Sequence, residues 1–180
     1  MSNDTRMIDI YPVSEPADRA RMLLDHFRFM DMMLNGFKRY LVNEIIEIMK
    51  SEAHDQHADI RVQNSYMSDP TAETAIKHVE IEALLESGRR AERLVPDSAG
   101  AAVVQERIRT YRLLKKESKI MRAHLENQED RNVRILVTVL MGEKKYKEIA
   151  ADENITERSV RTIVDNTKNQ LIAYCVQYFD

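Results

Sequence analysis

The sequence predicts an all-α protein, a bundle of long helices, and three observations support this fold class. Glycine and proline together make up only eight of the 180 residues, too few turn-forming residues for a protein of many short strands. Apolar residues recur at helical spacing along most of the chain. A hydrophobic share of 43% can fill a core, and a charged share of 32% can solvate a surface.

The N-terminal part of the chain predicts a long helical segment. Its first helix is expected to begin at Pro16, with Ser14 as the capping residue. Apolar residues continue at helical spacing well beyond this start and are interrupted only by Asn35 and Gly36. Because glycine costs about 1 kcal/mol inside a helix, we expect a joint or kink at this pair. The polar residues 51–69 predict a loop.

A second helix is predicted to begin at Pro70, since Asp69 can cap it and proline is tolerated in a first turn. It is expected to run to about Arg93. The residues expected to face the core are Ala72, Ile76, Val79, Ala83 and Leu84.

The charge changes sign along the chain, and this change predicts two regions. Residues 1–104 carry 12 lysines and arginines against 18 acidic residues, whereas residues 105–180 carry 15 against 12. The segment 95–100 contains proline and glycine and is the best linker candidate. We therefore expect an acidic helical region over residues 1–95, for oligomerisation or partner contact, and a basic region over residues 96–180 that can meet a polyanion.

The basic region is expected to begin with a long helix over residues 101–126. One of its stripes has a period near 3.5 and suits packing against another helix; it consists of Val104, Ile108, Tyr111, Leu114, Ser118, Met121 and Leu125. Asp130 is placed to cap a compact apolar helix over residues 133–141, which Gly142 is expected to end.

The segment from Tyr146 to Leu171 predicts a helix-turn-helix, a motif whose second helix reads DNA. A short first helix is expected to end near Glu153. The turn consists of residues 154–156, with Thr156 as the cap of the second helix. The inner stripe of that helix is predicted as Val160, Ile163, Thr167 and Leu171.

The outward residues of the second helix supply the predicted base contacts. In the major groove, arginine can bond guanine, glutamate can accept from cytosine, and threonine can contact the thymine methyl group. We therefore predict that Glu157, Arg158 and Thr162 read bases. Phosphate contacts are predicted for Lys144, Lys145, Lys147, Arg161 and Lys168.

The charge of this helix indicates that one copy binds DNA weakly. Residues 157–168 contain three basic and two acidic residues. We therefore expect a homodimer, or a polymerase partner, to supply further affinity. The seven basic residues within 105–124 are a second candidate for phosphate contacts.

Two resemblances extend this interpretation. The segment from Tyr146 to Leu171 resembles the DNA-reading helix-turn-helix of bacterial sigma factors. The wider chain resembles the ArpU/RinA-like phage transcriptional regulators in residues 65–71 (SYMSDPT), in the position of the YKEIA and ITERSV motifs, and in the aliphatic–aromatic tail over residues 171–179. The resemblance implies a regulator that activates phage or prophage late genes in the bacterial cytoplasm and contacts RNA polymerase.

Two alternatives use the same helices for other tasks. A small terminase subunit, which marks phage DNA for packaging, is also helical and carries a helix-turn-helix. A helical interaction protein could instead bind RNA polymerase without touching DNA. In that case the steep salt dependence of phosphate contacts would be absent.

Other classes of function find no support in the sequence. The single cysteine, Cys175, excludes an internal disulfide and multi-cysteine zinc modules. The four glycines form no phosphate-binding motif, and no carboxylate has an identifiable catalytic partner. We therefore expect no enzymatic activity, no cofactor, no metal site and no membrane span.

Overall fold

The computed structural model describes residues 3–56, 70–87 and 101–179 of the chain. Every regular element in these ranges is helical, which confirms the predicted fold class. The α-helices of this part are α1 (Asn3–Ile10), α2 (Pro16–Asp25), α3 (Met30–Gln56), α4 (Pro70–Ser87), α5 (Ala101–Glu126), α6 (Arg131–Met141), α7 (Tyr146–Asp152) and α8 (Glu157–Tyr178). None of these described helices is both long and apolar enough to cross a membrane.

The chain divides into two compact units. The terminal unit combines Met1–Met33 with Leu113–Asp180, and the central unit is Leu34–Arg112. The predicted division between residues 95 and 96 falls within residues 88–100, which lie outside the described ranges.

The core of the central unit is built from α3, α4 and α5. Its buried apolar side chains are Phe37, Leu41, Val42, Ile45, Ile46, Ile81, Leu85, Ala101, Val104, Ile108 and Tyr111. The rings of Phe37 and Tyr111 meet edge to face, with their centroids 5.8 Å apart. The Lys38 Nζ lies 3.0 Å from a carboxylate oxygen of Glu86, so an ion pair also joins α3 to α4.

In the terminal unit, α8 packs against α2, α6 and α7. The buried residues of α8 are Val160, Val164, Thr167, Leu171 and Cys175. Their spacing of three and four residues keeps these side chains on one face of the helix. The opposite face of α8 is therefore left for solvent or a partner.

A buried ion pair joins α2 to α5 within the terminal unit. The Arg19 guanidinium donates hydrogen bonds of 2.7 and 3.0 Å to the Glu117 carboxylate, and the Tyr11 hydroxyl donates a third of 2.7 Å. These three donors compensate the burial of the Glu117 charge. Burial, followed by the hydrogen bond to Glu117, raises the pKa of Tyr11, so its hydroxyl keeps the proton that it donates.

Several helix boundaries agree with the sequence prediction. α2 begins at Pro16 and α4 at Pro70. α5 spans Ala101–Glu126, and all seven residues of its predicted stripe are buried. The Asp130 carboxylate accepts a hydrogen bond of 2.7 Å from the Asn132 backbone N–H at the start of α6. Gly142 ends that helix with a φ of 66°.

The predicted capping role of Ser14 is wrong. Ser14 ends a 3-10 turn (Tyr11–Val13), and its hydroxyl donates a 2.7 Å hydrogen bond back to the Ile10 carbonyl. Glu15 occupies the N-cap position of α2, and its side chain makes no capping hydrogen bond.

The predicted joint at Asn35 and Gly36 is also wrong, because α3 runs unbroken through both residues. Phe37 is buried directly after this pair, and its burial outweighs the cost of about 1 kcal/mol for a glycine within a helix. The chain instead leaves helical geometry at His26, with φ −105° and ψ 8°. A 3-10 turn at Phe27–Phe29 follows.

The first part of the polar segment predicted as a loop, residues 51–69, is helical. Residues 51–56 continue α3, and residues 57–69 lie outside the described ranges. The predicted end of the second helix near Arg93 and the linker at 95–100 also lie outside them.

The predicted inward face of α4 is wrong, because three of its members are exposed: Ile76, Val79 and Ala83. Among residues 75–87 of α4, whose side chains are described, Ile81 and Leu85 are buried and Leu84 is half-buried. Apolar residues occur on more than one side of this helix, so spacing alone does not select the face that packs. The side chain of Ala72 is not among those described.

Candidate nucleic-acid interface

The segment predicted to read DNA consists of α7, α8 and the four connecting residues 153–156. The Thr156 hydroxyl oxygen accepts a hydrogen bond of 3.1 Å from the Ser159 backbone N–H and caps α8 as predicted. In the connection, Asn154 has a φ of 53°, a left-handed conformation that asparagine adopts more readily than most residues. The bounds of α7 and the start of α8 follow the sequence prediction, and α8 continues beyond Leu171 to Tyr178.

Buried side chains fix which face of each helix is turned outward. α7 buries Ile149 and Ala150, and the N-terminal half of α8 buries Val160, Val164 and Thr167. Ile163, predicted to belong to the inner stripe, is half-buried, whereas Val164, which was not predicted there, is almost completely buried. The two residues are consecutive and lie about 100° apart around the helix. The periodicity of apolar residues therefore identified the inward face of α8 but not its more deeply buried member.

Two of the three predicted base-reading residues, Arg158 and Thr162, lie on the face of α8 opposite to its buried stripe, whereas Glu157, the first residue of the helix, lies near the line of Val164. Glu157, Arg158 and Thr162 are all exposed. At 3.6 residues per turn they span roughly 140° of the helix surface, and Arg158 and Thr162 are neighbours one turn apart. The Thr162 hydroxyl donates a hydrogen bond of 3.1 Å to the Arg158 carbonyl, which leaves the methyl group of Thr162 as its free contact surface.

An aromatic contact joins the first turn of α7 to α8. The Arg161 guanidinium carbon lies 5.5 Å from the centre of the Tyr146 ring, in cation–π geometry. Lys145 and Lys147 flank Tyr146 in sequence and are both exposed. The contact therefore brings three of the predicted phosphate-binding residues to one part of the surface. No pattern in the sequence indicates this contact, because it joins two helices.

The two remaining phosphate candidates differ from these three. The Lys144 Nζ lies 2.6 Å from a carboxylate oxygen of Asp152, and this hydrogen bond is the main reason that the pKa of Lys144 is raised. Lys168 is half-buried and lies seven residues beyond Arg161, about 10 Å farther along the helix axis. To bind a phosphate, Lys144 must first leave the Asp152 carboxylate. Lys168 lies apart from the other four residues predicted to bind phosphates.

Ion pairs within the protein neutralise part of the positive charge of the basic helix α5. Arg107 forms an ion pair with Glu44, and Arg109 forms one with Glu106 at 3.3 Å. Arg122 forms one of 2.8 Å with Asp31. The positive charge that residues 105–124 can offer to phosphates is therefore smaller than the sequence alone indicates.

Among the residues that the structure describes, no group of three or more His, Cys, Asp or Glu side chains could hold a metal ion. Comparisons with models of protein families, with curated proteins and with solved structures find no match to this chain.

Proposed function

We propose that the protein is a sequence-specific DNA-binding transcriptional regulator whose helix α8 reads bases in the major groove. The observation that carries this proposal is the exposure of Glu157, Arg158 and Thr162 at the capped N-terminal end of α8, with Arg158 and Thr162 one turn apart on its outward face. In helix-turn-helix proteins this end of the second helix contacts base edges.

Each of the three side chains has a chemical role in this proposal. Arg158 has no ion-pair partner among the described residues, so its guanidinium is available to bond the O6 and N7 of guanine. Glu157 accepts a hydrogen bond from the amino group of cytosine, and the methyl group of Thr162 contacts that of thymine. Together they specify a short sequence of adjacent base pairs.

The phosphate contacts fix the position of α8 in the groove. Lys145, Lys147 and Arg161 bind the backbone beside the groove, and the Tyr146 ring limits the motion of the Arg161 guanidinium. Lys144 joins them by releasing Asp152, and Lys168 contacts a phosphate farther along. The resemblance to sigma factors supports this docking geometry.

The biological role rests on the resemblance to ArpU/RinA-like regulators. In this role the protein activates late genes of a phage or prophage in the bacterial cytoplasm, as a homodimer that contacts RNA polymerase. Multi-angle light scattering tests the oligomeric state. A mass of twice the 21.0 kDa chain supports this role, whereas a closed ring of many copies favours the packaging alternative.

Selection of DNA from a random duplex library by the purified chain tests the proposed function. We expect one enriched motif, and a reporter gene that carries this motif should respond when the protein is expressed. Recovery of no common motif from repeated selections would contradict sequence-specific DNA binding.

A further inference from the structure

An arginine from the N-terminal segment lies beside the connection between α6 and α7. The Arg28 Nη1 is 3.0 Å from the point that a Cβ atom on Gly142 would occupy. Gly142 has a φ of 66°, so glycine suits this position both by its conformation and by the space that Arg28 takes. Arg28 precedes α3 in the 3-10 turn Phe27–Phe29, which contacts α6.

Arg28 is exposed, and its guanidinium forms no ion pair with a carboxylate among the described residues. Its guanidinium carbon lies 5.3 Å from the centre of the Phe29 ring, a contact that orients the side chain without neutralising its charge. By contrast, Arg122 and Arg131 of the same unit form ion pairs with acidic side chains.

The end of α6 does not explain why Arg28 lies there. The Gly142 backbone N–H donates to the Val139 carbonyl at 3.0 Å, and the Glu143 N–H donates to the Thr138 carbonyl at 3.1 Å. The backbone itself therefore caps α6. Arg28 makes no hydrogen bond to these carbonyls, and its donors remain available to an external acceptor.

Arg28 lies near the predicted phosphate-binding residues at the start of α7. Gly142 precedes Lys145 by three residues, which span at most about 11 Å. Arg28 and the lysines at the start of α7 therefore attract the same stretch of a polyanion.

We propose that Arg28 is a further DNA-backbone contact, which extends the phosphate-binding surface of α7 and α8 to the 3-10 turn before α3. The inference rests on the proposed function, since it concerns the same DNA. The guanidinium binds a phosphate of the strand that passes the start of α7. This contact is independent of base sequence.

The salt dependence of DNA binding tests this inference. Fluorescence anisotropy would measure the affinity of the wild-type chain, Arg28→Gln, Arg28→Lys and Arg39→Gln for the selected duplex and a scrambled duplex, over about 50 to 200 mM salt. Arg39 is an exposed arginine on α3 with no described ion pair, so Arg39→Gln matches the loss of charge. Thermal unfolding followed by circular dichroism would confirm that each variant is folded.

The expected result is a smaller salt slope for Arg28→Gln, by about 0.9 in log K against log salt. Its affinity should fall by the same factor on both duplexes, Arg28→Lys should restore the slope, and Arg39→Gln should match the wild type. Equal slopes for Arg28→Gln and Arg39→Gln, with wild-type binding intact, would overturn this inference alone. Failure of the wild-type chain to bind any duplex would overturn the proposed function and this inference with it.

Discussion

Two arginines on α2 form ion pairs in opposite surroundings. The Arg19–Glu117 pair is buried, with side-chain exposures of 6% and 0%, whereas Arg21 and Asp18 are 59% and 54% exposed. A buried charge that loses its partner keeps the cost of desolvation, whereas an exposed charge is solvated by water. Two similar pairs on one helix therefore differ in their effect on stability.

Arg19→Ala is expected to lower the free energy of unfolding by about 3–5 kcal/mol, because it leaves the Glu117 carboxylate buried with fewer donors. Arg21→Ala is the matched control and should cost less than about 1 kcal/mol. Urea denaturation of both variants measures the difference. Equal losses for the two would contradict the importance assigned to the buried pair.

Two glycines in helical surroundings are expected to respond to alanine in opposite directions. Gly142→Ala should destabilise the protein by about 1–2 kcal/mol, because its φ of 66° strains any L side chain and the new Cβ meets Arg28. Gly36→Ala should stabilise it by about 0.5–1 kcal/mol, since Gly36 lies within α3 with nothing within 4 Å of a new Cβ. Chemical denaturation provides both values, and the same sign for the two would contradict these assignments.

The raised pKa of the Cys175 thiol predicts that the free energy of unfolding depends on pH. Burial, with a smaller contribution from Glu117, raises the pKa of its thiol from 9.0 to about 12. The folded state therefore holds the proton more tightly, so this contribution to stability is complete below pH 9 and is lost as the pH rises toward 12. Guanidinium denaturation between pH 7 and about pH 10 should show this decline, and Cys175→Ala should reduce its slope. An unchanged slope in that variant would exclude Cys175 as the source.

At the scale of single elements, the cap of α8 controls the end of the helix that carries the predicted base contacts. Thr156→Ala removes the acceptor for the Ser159 N–H and is expected to cost about 1 kcal/mol of unfolding free energy. Thr156→Ser keeps the hydroxyl and should retain most of the stability. Thermal denaturation of the two variants provides the test, and equal melting temperatures would argue against the cap.

The helices that could be predicted best are those with one polar and one apolar side. The stripe of α5 and the outward face of α8 follow from spacing, because a single inward face accounts for most of their apolar residues, with Val103 on α5 and Val176 on α8 as exposed exceptions. α4 has apolar residues on more than one side, so its orientation depends on what packs against it. The helix through Gly36 depends on burial of Phe37, which a local glycine penalty does not include.

Contacts between separate elements could not be predicted in the same way. The sequence predicts that Arg161 and Lys144 are exposed cations, but it does not show that Arg161 stacks on Tyr146 or that Lys144 pairs with Asp152. The position of Arg28 beside Gly142 joins residues more than a hundred positions apart. Such contacts depend on tertiary packing rather than on local spacing.

At the scale of the whole molecule, folding redistributes the charge. The surplus of basic residues after residue 104 is absent from the terminal unit, because Arg107, Arg109 and Arg112 belong to the central unit and Met1–Met33 adds six acidic residues and only four basic ones. The terminal unit contains 16 basic and 17 acidic residues. Long-range attraction of this unit to a polyanion is therefore small, and the proposed DNA binding must depend on the local arrangement around α7 and α8.

The most direct test of the central claim is the difference in binding free energy between the selected duplex and a scrambled duplex, for the wild-type chain and Arg158→Ala. We expect Arg158→Ala to lose about 1–3 kcal/mol of this difference, and the loss should map to one base pair. Arg39→Ala removes the same charge elsewhere and should keep the full difference. Unchanged discrimination by Arg158→Ala would contradict the claim that the N-terminal end of α8 reads bases.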